Sequence, residues 1–366
     1  MIGTIIGVGI FSVPFVVAKA GVLSFILLLP LLAFAQYIFH KFYAEIIIAS
    51  GEKHRLPGYA AKYFGEQAKY VVLFFTLIAS YGSMLAYILV GGMFLHQLFF
   101  PIFGGSQFLY TAILYVVVAL IVLYGLKLIA KVDALLATLL LLAVALVIGK
   151  SFPNIQIGNF QLASWTYFLL PYGPIFFAVG GDGAVPEVCR LLENDRPLIK
   201  KAITWGTFIP AVVIFIFVLA VVGVSGRQTT PDTMAGLAAF LPAEVISIAL
   251  AFGIMTIVTA FLTVAESTKE TYVWDLKINK KIAWLLALLP AFVLYLFGIN
   301  NLTSVVSLTG SISGGILGLV LIWIFFKAKN GSQEGKMIET RLSKLLAVFL
   351  SCLFIAGFIY SLVTIL

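Results

Sequence analysis

Eleven apolar runs, most of them about 20 residues long, fill this chain and leave little between them. They lie near 1–20, 21–48, 69–99, 108–125, 132–149, 164–190, 202–224, 242–266, 282–298, 301–326 and 344–365. As a helix, a run of that length matches the hydrocarbon thickness of a bilayer. The longest polar stretches, 51–67 and 327–343, are too short for a soluble domain. Composition agrees: 10% of residues are charged and 62% are hydrophobic, against roughly 25% charged in an average soluble domain. A soluble globular protein and a disordered chain are both excluded. No block of like charge suits a nucleic-acid track, so no nucleic-acid partner is expected. The fold class that follows is an all-α polytopic membrane protein with 11 transmembrane helices in contact with the lipid bilayer.

Charge placement gives an orientation, because cytoplasmic loops collect Lys and Arg. With the N-terminus in the cytoplasm, 20 of the 23 basic residues fall on the cytoplasmic side. Only Lys19, Lys150 and Arg227 fall outside. The eleventh span then carries the C-terminus outside the plasma membrane. The formal net charge of +8 reflects this asymmetry. The other acids map to loops or span ends, and Asp182 is left near mid-membrane. Ala18-Lys19-Ala20 mimics a signal-peptide cleavage site, but no positive segment precedes the run, so no cleavage is expected. Cys189 and Cys352 give no disulfide framework, and His40, His54 and His96 lack the spacing of metal ligands. With no nucleophile–base pair either, the chain is not expected to be an enzyme or to hold a cofactor.

Two spans carry matching interruptions. Gly7-Val8-Gly9-Ile10-Phe11-Ser12-Val13-Pro14 aligns with Val179-Gly180-Gly181-Asp182-Gly183-Ala184-Val185-Pro186 at an offset of 172 residues. Five spans separate the two units, so the second is inverted relative to the first. Such interrupted segments in corresponding halves point to a transporter binding site. Glycine relaxes the helix and proline removes an amide donor, so an unwound stretch bares backbone groups. At mid-membrane these are tolerated only where they line a polar cavity. The competing account is helix packing, which is preferred for Gly310, Gly314 and Gly318 of the tenth span. Projecting the sixth span back by the same offset places its counterpart's start eight residues before Met1. Either the start codon is misassigned, the chain is a truncated product, or the first half-helix is short.

Gly3-Thr4-Ile5-Ile6-Gly7-Val8-Gly9-Ile10-Phe11 with Pro14 resembles the first-helix motif of amino acid permeases in the amino acid–polyamine–organocation superfamily. Phe176-Phe177-Ala178-Val179-Gly180-Gly181, running to Pro186-Glu187-Val188, resembles their sixth-helix motif. The match is closest to the amino acid/auxin and aromatic amino acid permease branches. The resemblance implies the leucine-transporter fold. Residues 1–150 and 164–326 would be five-span inverted repeats, and 344–365 an added helix. It further implies that Gly7, Val8 and Gly9 offer amides to a substrate carboxylate. Carbonyls near Ile5 and those of Phe176 and Val179 would receive the ammonium, beside Gly180. Phe176 or Phe177 would close the site as an aromatic gate.

Asp182 sits inside the interrupted part of the sixth span, where a carboxylate is costly and usually functional. It could bind a substrate amine, bind Na⁺ or exchange a proton. Glu187 reads equally as a gate ion pair or a solvated end. Thr256, Thr259 and Thr263 share one face of the eighth span. In sodium-coupled relatives, hydroxyls of this helix ligate Na⁺. Tyr81, in an interruption of the third span, reads equally as a contact to a substrate carboxylate, as a third-helix residue makes in relatives, or as a core tyrosine bonded to a neighbour. The function expected is secondary active transport of amino acids by alternating access, as a symporter driven by H⁺ or Na⁺. The alternative is an amino-acid receptor on a permease scaffold that does not transport. Substrate side chain and oligomeric state are open.

Overall fold

A computed structural model describes residues 1–124, 129–331 and 344–365. The expected cytoplasmic charges at Lys127, Lys131, Lys329, Lys336, Arg341 and Lys344 lie outside the described residues or side chains. Among the described residues there are helices and no strand. In chain order they are α1 (Ile2–Ile5), α2 (Gly9–Ala20), α3 (Val22–Ser50), α4 (Leu56–Phe64), α5 (Glu66–Phe103), α6 (Gln107–Tyr124), α7 (Ile129–Ser151) and α8 (Tyr172–Ala178). Then follow α9 (Val185–Leu191), α10 (Arg196–Ser225), α11 (Met234–Leu237), α12 (Ala243–Glu270), α13 (Lys280–Leu296), α14 (Leu302–Ser311), α15 (Gly318–Gly331) and α16 (Lys344–Ile365). A π-helical segment, Ile312–Leu317, joins α14 to α15, and another, Thr271–Asp275, ends α12.

Among the described residues, eight helical stretches are long and apolar enough to cross a membrane. Three of the expected spans fall outside that number. One of them, α13, has 17 residues. The other two are broken at the expected places: the first span into α1 and α2, the sixth into α8 and α9. The sixth span also starts later than its apolar run. Residues from Phe152 to Tyr167 form short 3₁₀ turns, and α8 begins at Tyr172 behind Pro171. Prolines 171 and 174 lack the N–H that only a helix's first turn can spare. The first half-helix, α1, has 4 residues against 7 in its counterpart α8.

The broken helices are held by glycine contacts. A methyl on Gly9 would sit 2.7 Å from Ala178 Cβ and 3.0 Å from its backbone nitrogen, so α2 and α8 touch through their backbones. One on Gly310 would lie 2.8 Å from the Gly173 carbonyl carbon and 2.9 Å from the Phe177 nitrogen. Gly314 seats the ring of Phe176 and Gly318 that of Phe39. The packing reading of the tenth-span glycines therefore holds. Both neighbours of Gly310 are backbone of α8, which leaves no flexible atom to yield. Gly310→Ala is expected to lower stability by about 1–3 kcal/mol, as overpacking does. A drop in the thermal midpoint of the purified protein would register it, and an unmoved midpoint would contradict this contact.

Candidate functional site

A cavity of about 170 Å³ lies against the sixth-span break, and of the first span only Thr4 borders it, not Ile5, Gly7, Val8 or Gly9. Its wall takes Thr4 from α1, Ser80, Ser83 and Tyr87 from one face of α5, and Thr263 and Ser267 from α12. Phe176, Phe177 and Gly180–Gly183 supply the side of the sixth span, with Thr309 and Ser313 beyond them. Asp182 is the one carboxylate that lines it among the described residues. The rest of the polar lining is hydroxyl and backbone, apart from Arg55 at one end.

The first break is shaped by its own backbone. The Gly7 N–H donates to the Ile5 carbonyl at 2.8 Å, so the amide expected to serve a substrate carboxylate is taken within the chain, while the carbonyl keeps a second lone pair. α2 opens at Gly9, and its first amides have no partner within the helix. A helix N-terminus of this kind attracts a carboxylate. Gly9 itself is placed by packing against α8, as its clearance from Ala178 requires. In the second break α8 ends at Ala178, the Phe177 carbonyl accepts the Gly180 N–H at 3.2 Å, and the carbonyls of Phe176 and Val179 remain at the helix end.

The aromatic candidates divide. Phe176 is 1% exposed and packed between Phe39 and Phe354, with ring centroids 6.1 and 5.8 Å away. Phe177 is half-buried and faces Tyr87 at 6.3 Å. Of the pair, Phe177 is the one free to move. Tyr81 turns away from the cavity. Its hydroxyl lies 2.6 Å from that of Tyr272 and donates to the Leu286 carbonyl at 2.8 Å. Residues 80, 83 and 87 share the cavity face of α5, and position 81 lies about 100° round the helix from 80. Thr256, Thr259 and Thr263 each donate into their own helix, to the carbonyls of Phe252, Thr256 and Thr259. Of the three only Thr263 borders the cavity.

Arg55 borders the cavity, while Phe11 of α2 packs outside its lining. Toward α2, Phe11 meets Phe94 and Phe217 edge-on at 5.0 and 6.0 Å, and its carbonyl accepts from Thr233 Oγ1 at 2.5 Å. At the opposite end Arg55 is buried. Its Nε donates to Glu270 at 3.1 Å, Nη1 to the Gly183 carbonyl at 3.3 Å and Nη2 to Glu187 at 3.5 Å. A second bond joins Nη2 to Glu270. One guanidinium thus ties the start of α4, the sixth-span break and the end of α12. Burial works against its charge, but the Glu270 and Glu187 carboxylates outweigh that and raise its pKa further. The latch therefore does not switch on the arginine side within any physiological pH range.

Residues 1–363 match the sequence profile of the tryptophan/tyrosine permease family. The chain belongs to this family. The permease is 27% identical over 215 residues to the tyrosine-specific transport system 1 of Haemophilus influenzae, a match that takes in 57% of this chain and 52% of that protein. It thus spans about half the length of the curated relative it matches. Among solved structures it is similar to MhsT in complex with L-phenylalanine, with TM-score 0.73 and 14% identity over 100% of this chain and 97% of that one. It is also similar to a nucleobase-cation-symport-1 family transporter in a closed conformation with bromovinylhydantoin bound. That match has TM-score 0.66 and 15% identity over 100% and 89% of the two chains. At such identities the likeness establishes the fold, the leucine-transporter fold that the two motifs imply. The permease is an integral membrane protein and not an enzyme.

Five side chains of the permease's site went unmarked in the sequence: Gln36, His40, Arg55, Tyr87 and Ser313. His40 carried a readable signal, since an ionisable residue inside the apolar run 21–48 is as unusual as Asp182. Arg55 carried none, because a loop arginine reads as a solvated charge.

Proposed function

We propose that this permease is a secondary transporter that carries aromatic amino acids, tyrosine and tryptophan foremost, by alternating access. The observation that carries the reading is the cavity of about 170 Å³ where two broken helices meet, flanked by Phe177 and Tyr87 and holding one carboxylate. A cavity of about 150 Å³ admits a benzene ring, so an aromatic side chain has room here. The substrate carboxylate lies at the amides that open α2. Its ammonium lies at the carbonyls that end α8 and beside Asp182, and its ring between Phe177 and Tyr87. The tyrosine-specific name of the Haemophilus influenzae relative and the L-phenylalanine held by MhsT support an aromatic substrate.

Proton coupling is preferred to sodium. Asp182 borders the cavity, whereas two of the three α12 threonines do not. The chain crosses the plasma membrane eleven times, as two inverted repeats, 1–150 and 164–326, with 344–365 added. The Arg55 end faces the cytoplasm with the N-terminus, and the C-terminus lies outside. Phe177→Ala removes one wall of the ring site. Loss of an aromatic pair of this kind is expected to weaken binding about two- to tenfold.

A competition panel tests the substrate class. With labelled L-tyrosine bound to the purified protein, the reading expects tyrosine, tryptophan and phenylalanine to displace it and the other amino acids to fail. Equal displacement by leucine or glutamate would overturn it. Displacement by the aromatic set without any uptake would point to a receptor on the permease scaffold.

A further inference from the structure

Asp182 belongs to a hydrogen-bonded chain that runs away from the cavity into the protein. Gln36 and His40 lie one turn apart on α3 and both reach the sixth-span break. Gln36 Nε2 donates to Asp182 Oδ1 at 2.7 Å and lies 3.1 Å from His40 Nε2. His40 Nε2 is itself 3.6 Å from Asp182 Oδ1. On its far side His40 Nδ1 is 2.9 Å from Thr207 Oγ1 of α10. Ser313, from the π-helical segment, donates to the other Asp182 oxygen at 3.4 Å. The His40 side chain is 0% exposed, while that of Asp182 is 39% exposed and borders the cavity.

The donors fix the protonation pattern. The Gln36 amide nitrogen can only donate, so His40 Nε2 must offer a lone pair. The ring proton then sits on Nδ1 and is given to Thr207. The imidazole is neutral and its free base position points at a carboxylate. Gln36 Oε1 is buried with no partner among the described residues. That unmet acceptor is the mark of an amide held in this orientation by Asp182 alone. The charged or titratable groups around His40 are Asp182 from the break, the Met1 amino group from α1 and Tyr43 on the next turn of α3. From α10 and the π-helical segment the polar groups are Thr207 and Ser313, which do not titrate.

We propose that His40 and Asp182, bridged by Gln36, form the proton-binding site that couples this permease to a pH gradient. This rests on the transporter reading above and adds the group that stores the proton. A proton enters from the cavity and is held between the Asp182 carboxylate and His40 Nε2, displacing the Gln36 N–H. The pair passes from a net charge of −1 to 0. An unneutralised carboxylate at mid-membrane holds its cavity open to water, and a neutral pair lets the bundle close around the substrate. Return of the proton to the other side restores the starting bonds.

Proteoliposomes that trap a pH-sensitive dye test this with L-tyrosine as the probe. For the wild type, added tyrosine is expected to draw protons inward. His40→Gln is expected to lose at least tenfold of that proton entry per tyrosine while exchange of labelled for unlabelled tyrosine persists, whereas Asp182→Asn, which also removes the carboxylate beside the substrate ammonium, is expected to lose both. Proton entry by His40→Gln at the wild-type ratio would overturn the proposal. Should His40→Gln lose exchange as well, Thr207→Val decides, since it keeps the imidazole and removes only its Nδ1 partner. The proposal then expects the pH profile of uptake to be displaced by about half a unit or more, and an unmoved profile overturns it. Wild-type accumulation on a sodium gradient alone would overturn the proton site and leave the transporter reading intact. Neither exchange nor uptake by the wild type would overturn both.

Discussion

Arg55→Ala is expected to open the Arg55 end of the cavity and expose Cys189 to a water-soluble thiol reagent. Cys189 is buried in α9, two residues beyond Glu187, and is a built-in reporter of that half-helix. Arg55 is the only group among the described residues that bonds Glu270, Glu187 and the Gly183 carbonyl together. Removing it leaves the Glu270 carboxylate, 13% exposed, without its partner. Breaking a buried pair from one side costs about 3–5 kcal/mol. The loss falls on the contacts that pin α9, so that half-helix should loosen before the rest. In a Cys352→Ser background, labelling of Cys189 should rise by at least tenfold. Arg55→Lys keeps the charge but loses the fork that spans three acceptors, so it should fall between the two. A labelling rate equal to wild type in Arg55→Ala would show that the guanidinium is not what holds α9.

Gly9→Val should abolish substrate binding. At Gly9 even a single methyl would approach the Ala178 backbone nitrogen to 3.0 Å, and valine adds two more. The neighbour is backbone at the end of α8, so no side chain can swing aside. α2 and α8 must separate, and the amides that open α2 separate from the carbonyls that end α8. Overpacking of this size costs about 1–3 kcal/mol in stability. The binding loss should exceed that, because the substrate touches both breaks at once. Calorimetric titration with L-tyrosine checks it. Folded Gly9→Val protein with wild-type affinity would show that the two breaks do not share one ligand.

Much of this architecture was legible from short-range pattern. Runs of apolar residues mark membrane helices because the bilayer sets their length, and helices α3, α5, α6, α10 and α12 lie on the expected stretches. The breaks at Gly7–Gly9 and Gly180–Gly183 were legible because glycine and proline act locally on the backbone. What escaped was decided by contacts between residues far apart in the chain. Gln36 and Asp182 are 146 positions apart, and nothing near either names the other. Arg55 looks like any loop cation until α4 folds it beneath Glu270, 215 positions on. Of the two readings of Tyr81, the structure has the core tyrosine bonded to neighbours, because Ser80 and Ser83 border the cavity while position 81 reaches Tyr272 and Leu286. The start of α8 was misplaced because residues 164–171 are apolar without being helical.

The most direct test of the central claim is uptake of labelled L-tyrosine into proteoliposomes under an imposed inward proton gradient. The account predicts accumulation above the external concentration that collapses when a protonophore is added. No gradient-stimulated uptake of tyrosine, tryptophan or phenylalanine by folded protein would contradict it.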